Sequence, residues 1–387
     1  MKITAIKSVL INAQMRNWVI VQVFTDTPGL IGIGEASLEF QAQAVVGAIA
    51  DIGQLIVGND PRDIERNWQS LYRHPFFKGG VVTMSAISGI DQALWDIKAK
   101  DLGVPLYQIL GGRARDRVRM YDHLGGGDSD AVYNSDNGHS FGEKMKKSIS
   151  DGFTAVKILA VPQSSAMPDR KALEHAENLM GAAREAAGPE VDIMIDFHGR
   201  TSAPAAIAYA EIFAQFNPYF LEEVVSPDQI ESLKLVRSKL TIPVAAGERW
   251  LSRFEFLPYL QAGLIDVAQP DVCHAGGITE LRKIAALCET FGVSMAPHNP
   301  LGPVATMVNV HLGLTTSNFL IQEVMRADVP WRNEVFSGVP EIKDGYIYPP
   351  VAPGIGVEIE EIEASKHPFV SVKPVQWFHK DSSVADW

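Results

Sequence analysis

Apolar and polar residues alternate with a period of two along ITAIKSVLI and WVIVQVFTD, and a TDTPGL turn leads from there to LIGIGEAS. β-branched residues dominate these runs, so residues 1–35 predict three strands. Helical periods follow at about 40–57 and 62–73, and the Gly79-Gly80 pair precedes a long helix from about 83 to 102. The first part is therefore α+β. From about residue 115 the pattern changes to strict strand–helix alternation. VRMYDH and TAVKILA predict the first two strands of this part. Six further apolar runs follow: VDIMID, NPYFLEE, IPVAAGE, IDVAQPD, VSMAPH and NFLIQE. Helical stretches such as APAAIAYAEIFAQF and GITELRKIAALCETFG lie between them. Eight strand–helix units predict a parallel (β/α)-barrel. Past about residue 335 the periodicity fades into GYIYPPVAPGIGVEIE, which reads as a return to the first domain. The expected division is an α+β capping domain over 1–114, a barrel over 115–335, and a returning C-terminal segment over 336–387.

A second periodicity lies on top of the first. Asp196, Glu222, Glu248, Asp271, His298 and Glu323 end or directly follow the last six apolar runs, at steps of 26, 26, 23, 27 and 25 residues. A barrel places all strand C-termini on one rim, where barrel enzymes keep their chemistry. Six strands thus aim an acid or an imidazole at one point. Two polar, breaker-rich stretches, 125–144 and 161–169, follow the first two strands and are expected to be loops on the same rim.

Composition narrows the chemistry. With 46% apolar and 21% charged residues the chain is an ordinary globular one. A formal net charge of −12 argues against nucleic acid or an anionic membrane as partner. It also repels an anionic substrate, unless a bound cation reverses the local sign. Two cysteines, Cys273 and Cys288, make a disulfide framework unlikely to be the organising device, and a cytoplasmic location is expected. The N-terminus alternates like a strand and lacks a signal-peptide core.

Three carboxylates meeting in a barrel mouth repel one another unless a cation joins them. Asp196, Glu222 and Glu248 are all-oxygen donors, which select a hard ion, and Mg²⁺ is the expected one. Asp271 and His298 end neighbouring strands, so a carboxylate can fix the imidazole tautomer and raise its basicity. His198 lies two residues beyond Asp196; strand alternation would bring it to the same cavity as a candidate general acid. A polar residue opening a loop is its plainer reading, and His274 reads as structural. Glu323 is placed to bond a substrate oxygen or a developing oxyanion if protonated, and equally to form a salt bridge. Lys157 on the second strand is a candidate partner for a substrate carboxylate, and Leu159 two residues on removes a second base from that side. These parts suit α-proton removal from a metal-chelated carboxylate followed by loss of a β-hydroxyl.

SAISGIDQALWDIKAKDLGVPLYQILGG, then IDFHGR, LEE, AAGER, AQPDVCHAGGITE, APHNPLGP and QE in order, resemble the enolase superfamily, mandelate racemase subgroup. The tail HKDSSVADW brings the resemblance closest to the galactonate dehydratases. It covers nearly the whole chain. It implies Asp196, Glu222 and Glu248 as Mg²⁺ ligands, His298 as base with Asp271 as its partner, His198 as the acid that expels the 3-hydroxyl, and Glu323 as stabiliser of the enediolate. The chain departs from the pattern at Val224, where the family shows Pro, at Leu159, where galactonate dehydratases show Asn, and in a longer 125–144 stretch. The expected activity is a hydro-lyase acting on a small acid sugar to give a 2-keto-3-deoxy acid. An epimerase or racemase on the same scaffold is the rival, and a non-catalytic metabolite-binding relative a more distant one. A homo-oligomer is expected.

Overall fold

The structure is a computed structural model and describes residues 1–124, 138–162, 166–325, 328–374, 376–379 and 381–386. Strands β1 (Ile3–Asn12), β2 (Asn17–Thr25) and β3 (Ile31–Glu35) form an antiparallel meander in that order. β2 reads NWVIVQVFT and is buried over most of its length, because helices α1 (Ala42–Gly53) and α3 (Val81–Asp101) pack against the meander. Helix α2 (Ile64–Arg73) flanks α3. The expected helix near 83 begins two residues earlier, directly after Gly80, whose φ of 77° suits the entry turn. Close packing of α3 on β3 requires glycine: a Cβ on Gly34 would lie 2.1 Å from the Gly89 carbonyl oxygen.

The barrel strands are β4 (Val118–His123), β5 (Ala155–Ile158), β6 (Asp192–Asp196), β7 (Leu221–Glu222), β8 (Val244–Ala246), β9 (Val267–Ala268), β10 (Ser294–Met295) and β11 (Gln322–Val324). Each pairs in parallel with its sequence neighbour, and β11 pairs in parallel with β4. The remaining seam is closed by main chain. Met295 N–H donates to the Asn318 carbonyl at 2.9 Å, and Leu320 N–H donates to the Met295 carbonyl at 2.8 Å. Tyr121, Ala155, Met194, Phe220, Ala245, Val267, Ala296 and Ile321, one from each strand unit, fill the barrel interior as a separate apolar cluster. That plug leaves only the rim above it for polar side chains.

The C-terminal segment returns to the cap. Asn12 N–H donates to the His367 carbonyl at 2.9 Å, and the Gln22 amide reaches Glu361 at 2.9 Å. Cap and barrel are joined by buried polar contacts. Trp68 donates its indole N–H to the Gly276 carbonyl at 2.8 Å, and Asp91 accepts from the Thr279 N–H at 2.9 Å. Glu35, wholly buried at the end of β3, accepts from Gly302 N–H at 2.8 Å and Ala305 N–H at 2.9 Å. It caps the barrel helix Pro303–Thr315 from the other domain. Both cysteines are buried and free. Among the described residues no helix is long and apolar enough to cross a membrane.

One expectation changes. Within the stretch 125–144, residues 125–137 lie outside the described residues, but 138–144 begin the helix Gly138–Ser150 rather than ending a loop. Phe141, Met145 and Ser148 form its buried face at helical spacing, against the helix Arg170–Ala187. The neighbouring Gly, Asn and Asp residues conceal this short period in the sequence. Of the stretch 161–169, residues 163–165 lie outside the described residues, and Asp169 caps Arg170–Ala187 by accepting from Ala172 N–H at 2.9 Å.

Candidate active site

Asp196 ends β6, Glu222 ends β7, and Glu248 follows β8 after the turn at Gly247. Asp196 and Glu222 are register partners, so their side chains leave adjacent strands at one level. One oxygen from each of the three carboxylates lies within 4.8 Å of the others. An ion at about 2.0–2.1 Å from each oxygen allows oxygen separations of roughly 2.9–4.2 Å, so a slight closing suffices. The donors are all hard oxygens, and the set fits Mg²⁺. Their mutual repulsion is visible in the charges. Burial and the neighbouring Asp196 hold Glu222 well above the usual carboxylate range, although Lys157 opposes this.

Lys157, buried on β5, is the cation of this layer. Its Nζ lies 2.8 Å from Glu222, 2.8 Å from Glu323 and 3.6 Å from Asp196. Burial would lower its pKa, but Glu222 and Glu323 raise it well above the ordinary lysine value. Glu323, on β11, also accepts from Asn299 N–H at 2.9 Å. Burial raises its pKa, but Lys157, His298 and His123 outweigh it and bring it down to about 2. Glu323 is thus an ionised acceptor in this arrangement.

Asp271 and His298 lie in the turns after β9 and β10. Asp271 accepts from Cys273 N–H at 2.6 Å, which fixes its carboxylate, and its other oxygen lies 2.7 Å from His298 Nδ1. The opposite ring nitrogen, Nε2, faces the cavity 3.6 Å from Glu248. Burial lowers the imidazole pKa, but Glu248 and the Asp271 hydrogen bond prevail and raise it to about 10. His274 is bonded through Nδ1 to Ser85 of α3 at 2.9 Å, and its Nε2 lies 3.8 Å from the Asp271 oxygen that faces His298.

His198 reaches the same cavity by a route different from strand alternation. β6 stops at Asp196, and His198 takes a left-handed conformation with φ 52°. Its N–H donates to Asp196 Oδ1 at 2.8 Å, and its Nε2 lies 3.3 Å from Asp196 Oδ2. The cavity is lined by Lys157, Asp196, His198, Glu248, His298 and Glu323, together with residues that the spacing of acids along the chain does not single out. One is His123, at the end of β4. It is 4% exposed, its Nδ1 has no hydrogen-bond partner among the described residues, and burial takes its pKa down to about 3. Its signal is the same as for the others, a chemical side chain ending an apolar run, in VRMYDH. Another is Arg16, from the β1–β2 turn of the cap, whose guanidinium is 3% exposed, pairs with Glu39 at 2.6 Å and donates to the Pro300 carbonyl. An arginine in a tight turn carries no sequence signal of burial.

Comparison with known proteins agrees with this geometry. The enolase C-terminal domain-like family matches residues 140–363, and the mandelate racemase/muconate lactonizing enzyme N-terminal domain matches residues 3–111. The chain is 40% identical over 379 residues to a D-galactonate dehydratase of Ralstonia nicotianae, covering 96% of each. It is 38% identical to a D-galactonate dehydratase of Variovorax paradoxus, again covering 96% of each. A solved enolase from Pantoea ananatis, with bound D-gluconate and Mg, superposes with a TM-score of 0.85 at 30% identity, over 95% of this chain and 94% of that one. The chain therefore belongs to the mandelate racemase/muconate lactonizing enzyme family of the enolase superfamily.

Proposed function

We propose that this chain is a Mg²⁺-dependent dehydratase of an aldonic acid, galactonate-like in class, that releases water and a 2-keto-3-deoxy acid. The observation that carries the reading is the convergence of two sets on one cavity. A trio of carboxylate oxygens within 4.8 Å faces a His298–Asp271 pair bonded at 2.7 Å. Asp196, Glu222 and Glu248 would hold the ion, which would supply charge neutralisation for a substrate carboxylate. His298, its Nδ1–H held by Asp271, would take the α-proton at Nε2 as the neutral imidazole, once a cation on Glu248 offsets the carboxylate charge that raises its pKa. His198, on the opposite side of Asp196, gives a proton to the departing 3-hydroxyl. Lys157 and Glu323 form the wall between these two imidazoles, where the ammonium offers charge to substrate oxygens. His123, with a buried free ring nitrogen, is a further hydrogen-bonding partner for the substrate. The family names of the relatives support the same class: both are D-galactonate dehydratases.

Racemisation needs a second base facing His298. The β5 side offers Leu159, which is apolar, and Lys157, which is enclosed by three carboxylates. His198 then remains the group that could serve as a second base, and keto acid against epimerised acid separates the two reactions. The test is to incubate purified protein with a panel of aldonates, with Mg²⁺ or with EDTA, and to detect 2-keto acids as semicarbazones. Turnover of galactonate or one of its epimers, abolished by EDTA and restored by Mg²⁺, is expected. Full activity in EDTA, or epimerised acid without keto acid, contradicts the reading.

A further inference from the structure

The turns that follow β6, β7 and β8 are unusual in the same way. His198 and Gly199 after β6 have φ of 52° and 62°, and Glu223 after β7 has φ of 42°. A non-glycine residue in this region is disfavoured by its own Cβ and persists only where its surroundings hold it. The surroundings here converge on one side chain, Arg249, the residue after Glu248. Its Nη2 donates to the Glu223 carboxylate and to the His198 carbonyl oxygen, the latter at 3.2 Å. Gly199 N–H donates to the Glu223 carbonyl at 2.7 Å. The guanidinium presses its Nη2 against Gly199: a Cβ there would sit 2.0 Å from that nitrogen. Glu223 itself is buried and its carboxylate pairs with Arg249, and it is not one of the three carboxylates that meet at the ion site.

His198 is therefore held by both flanking peptide groups. Asp196 accepts from its N–H at 2.8 Å, and Arg249 donates to its carbonyl. Fixing both sides of a residue in a left-handed turn fixes the direction of its Cα–Cβ bond, and with it the place of the imidazole. We propose that Arg249, anchored by Glu223, is a positioning residue that sets the aim of His198 across the cavity. The inference rests on His198 being the acid that helps the hydroxyl leave. Arg249 also lines the cavity with its side chain 43% exposed, so direct substrate binding is the competing role.

The two roles separate in a partial-reaction experiment. Arg249→Met, Arg249→Lys and Gly199→Ala are compared with wild type in D₂O, with Mg²⁺ and the aldonate the enzyme turns over. Exchange of the α-hydrogen reports His298, and keto acid formation reports His198 as well. Arg249→Met should lower keto acid formation by roughly tenfold or more, since a displacement near 1 Å can cost 10²-fold. Exchange should stay within about twofold of wild type. Arg249→Lys should restore most of the elimination, because both contacts are made by one nitrogen. Gly199→Ala, which pushes on the guanidinium, should resemble Arg249→Met. Equal losses of exchange and elimination, or a raised KM with kcat intact, assign Arg249 to substrate binding and overturn the proposal. A second readout needs no substrate. In imidazole NMR spectra of histidine-labelled protein, Arg249→Met should shift the His198 signals and leave those of His298 in place. If wild type turns over no aldonate, the dehydratase reading fails by itself, and the clamp then stands or falls on this spectrum.

Discussion

Replacing Glu35 probes the joint between cap and barrel. The carboxylate is fully buried, takes the Gly302 and Ala305 N–H groups at 2.8 and 2.9 Å, and accepts from the Ser37 hydroxyl at 2.6 Å. Those amides open the helix Pro303–Thr315, just after the turn that carries His298. In Glu35→Gln one oxygen still accepts, but the amide NH₂ faces a backbone N–H. One charge-assisted bond is lost and a donor is left buried, a cost of about 2 kcal/mol. In Glu35→Ala both amides lose their acceptor and the side-chain volume is left as a void, so the loss should reach about 4 kcal/mol. Guanidinium unfolding, followed by tryptophan fluorescence and far-UV circular dichroism, gives the midpoints and slopes needed. The two probes also show whether cap and barrel still unfold together. Turnover should fall more than stability in Glu35→Ala, because the His298 turn loses its support. Variants within about 0.5 kcal/mol of wild type, or a Gln variant less stable than the Ala variant, would refute the cap.

Two further outcomes follow from buried charges. His311 is held neutral: Tyr107 N–H donates to its Nδ1 at 3.0 Å, its Nε2 lies 2.9 Å from the Ile355 carbonyl, and burial takes its pKa down to about 4. The unfolded chain binds this proton below about 6.5 and the folded one only below about 4, so stability falls as pH drops through that window, by on the order of 3 kcal/mol. His311→Gln should flatten that part of the pH–stability curve, and an identical slope in variant and wild type contradicts the assignment. Lys157→Met should leave three carboxylates without their cation, lowering Tm in EDTA by the equivalent of about 3–5 kcal/mol and enlarging the Tm gain on adding Mg²⁺. A variant as stable as wild type in EDTA would show that Lys157 does not balance this cluster.

The barrel is legible because seven of its eight strand units repeat one rule, an apolar run closed by a chemical side chain, with TAVKILA the exception. The same rule separates Asp196, Glu222 and Glu248 from the many surface acids. What stayed hidden depends on contacts between distant parts of the chain. Arg16 reaches Pro300, and Glu35 reaches Gly302 and Ala305, across pairings that no local period encodes. Strand alternation predicts His198 in the cavity, but the residue sits beyond the strand in a left-handed turn. Asp196 and Arg249 bond the peptide groups on either side of it there. The helix Gly138–Ser150 was hidden by composition, since its buried face of Phe141, Met145 and Ser148 follows directly on a run of turn-forming residues.

In the proposed reaction two imidazoles that follow different strands divide the work, His298 removing the α-proton and His198 assisting departure of the hydroxyl. The direct measurement is α-hydrogen exchange and keto acid formation by His198→Asn and His298→Asn in D₂O with Mg²⁺, using the best aldonate from the panel. His198→Asn should exchange the α-hydrogen while releasing little or no keto acid, and His298→Asn should do neither. Exchange retained in His298→Asn and lost in His198→Asn would contradict it.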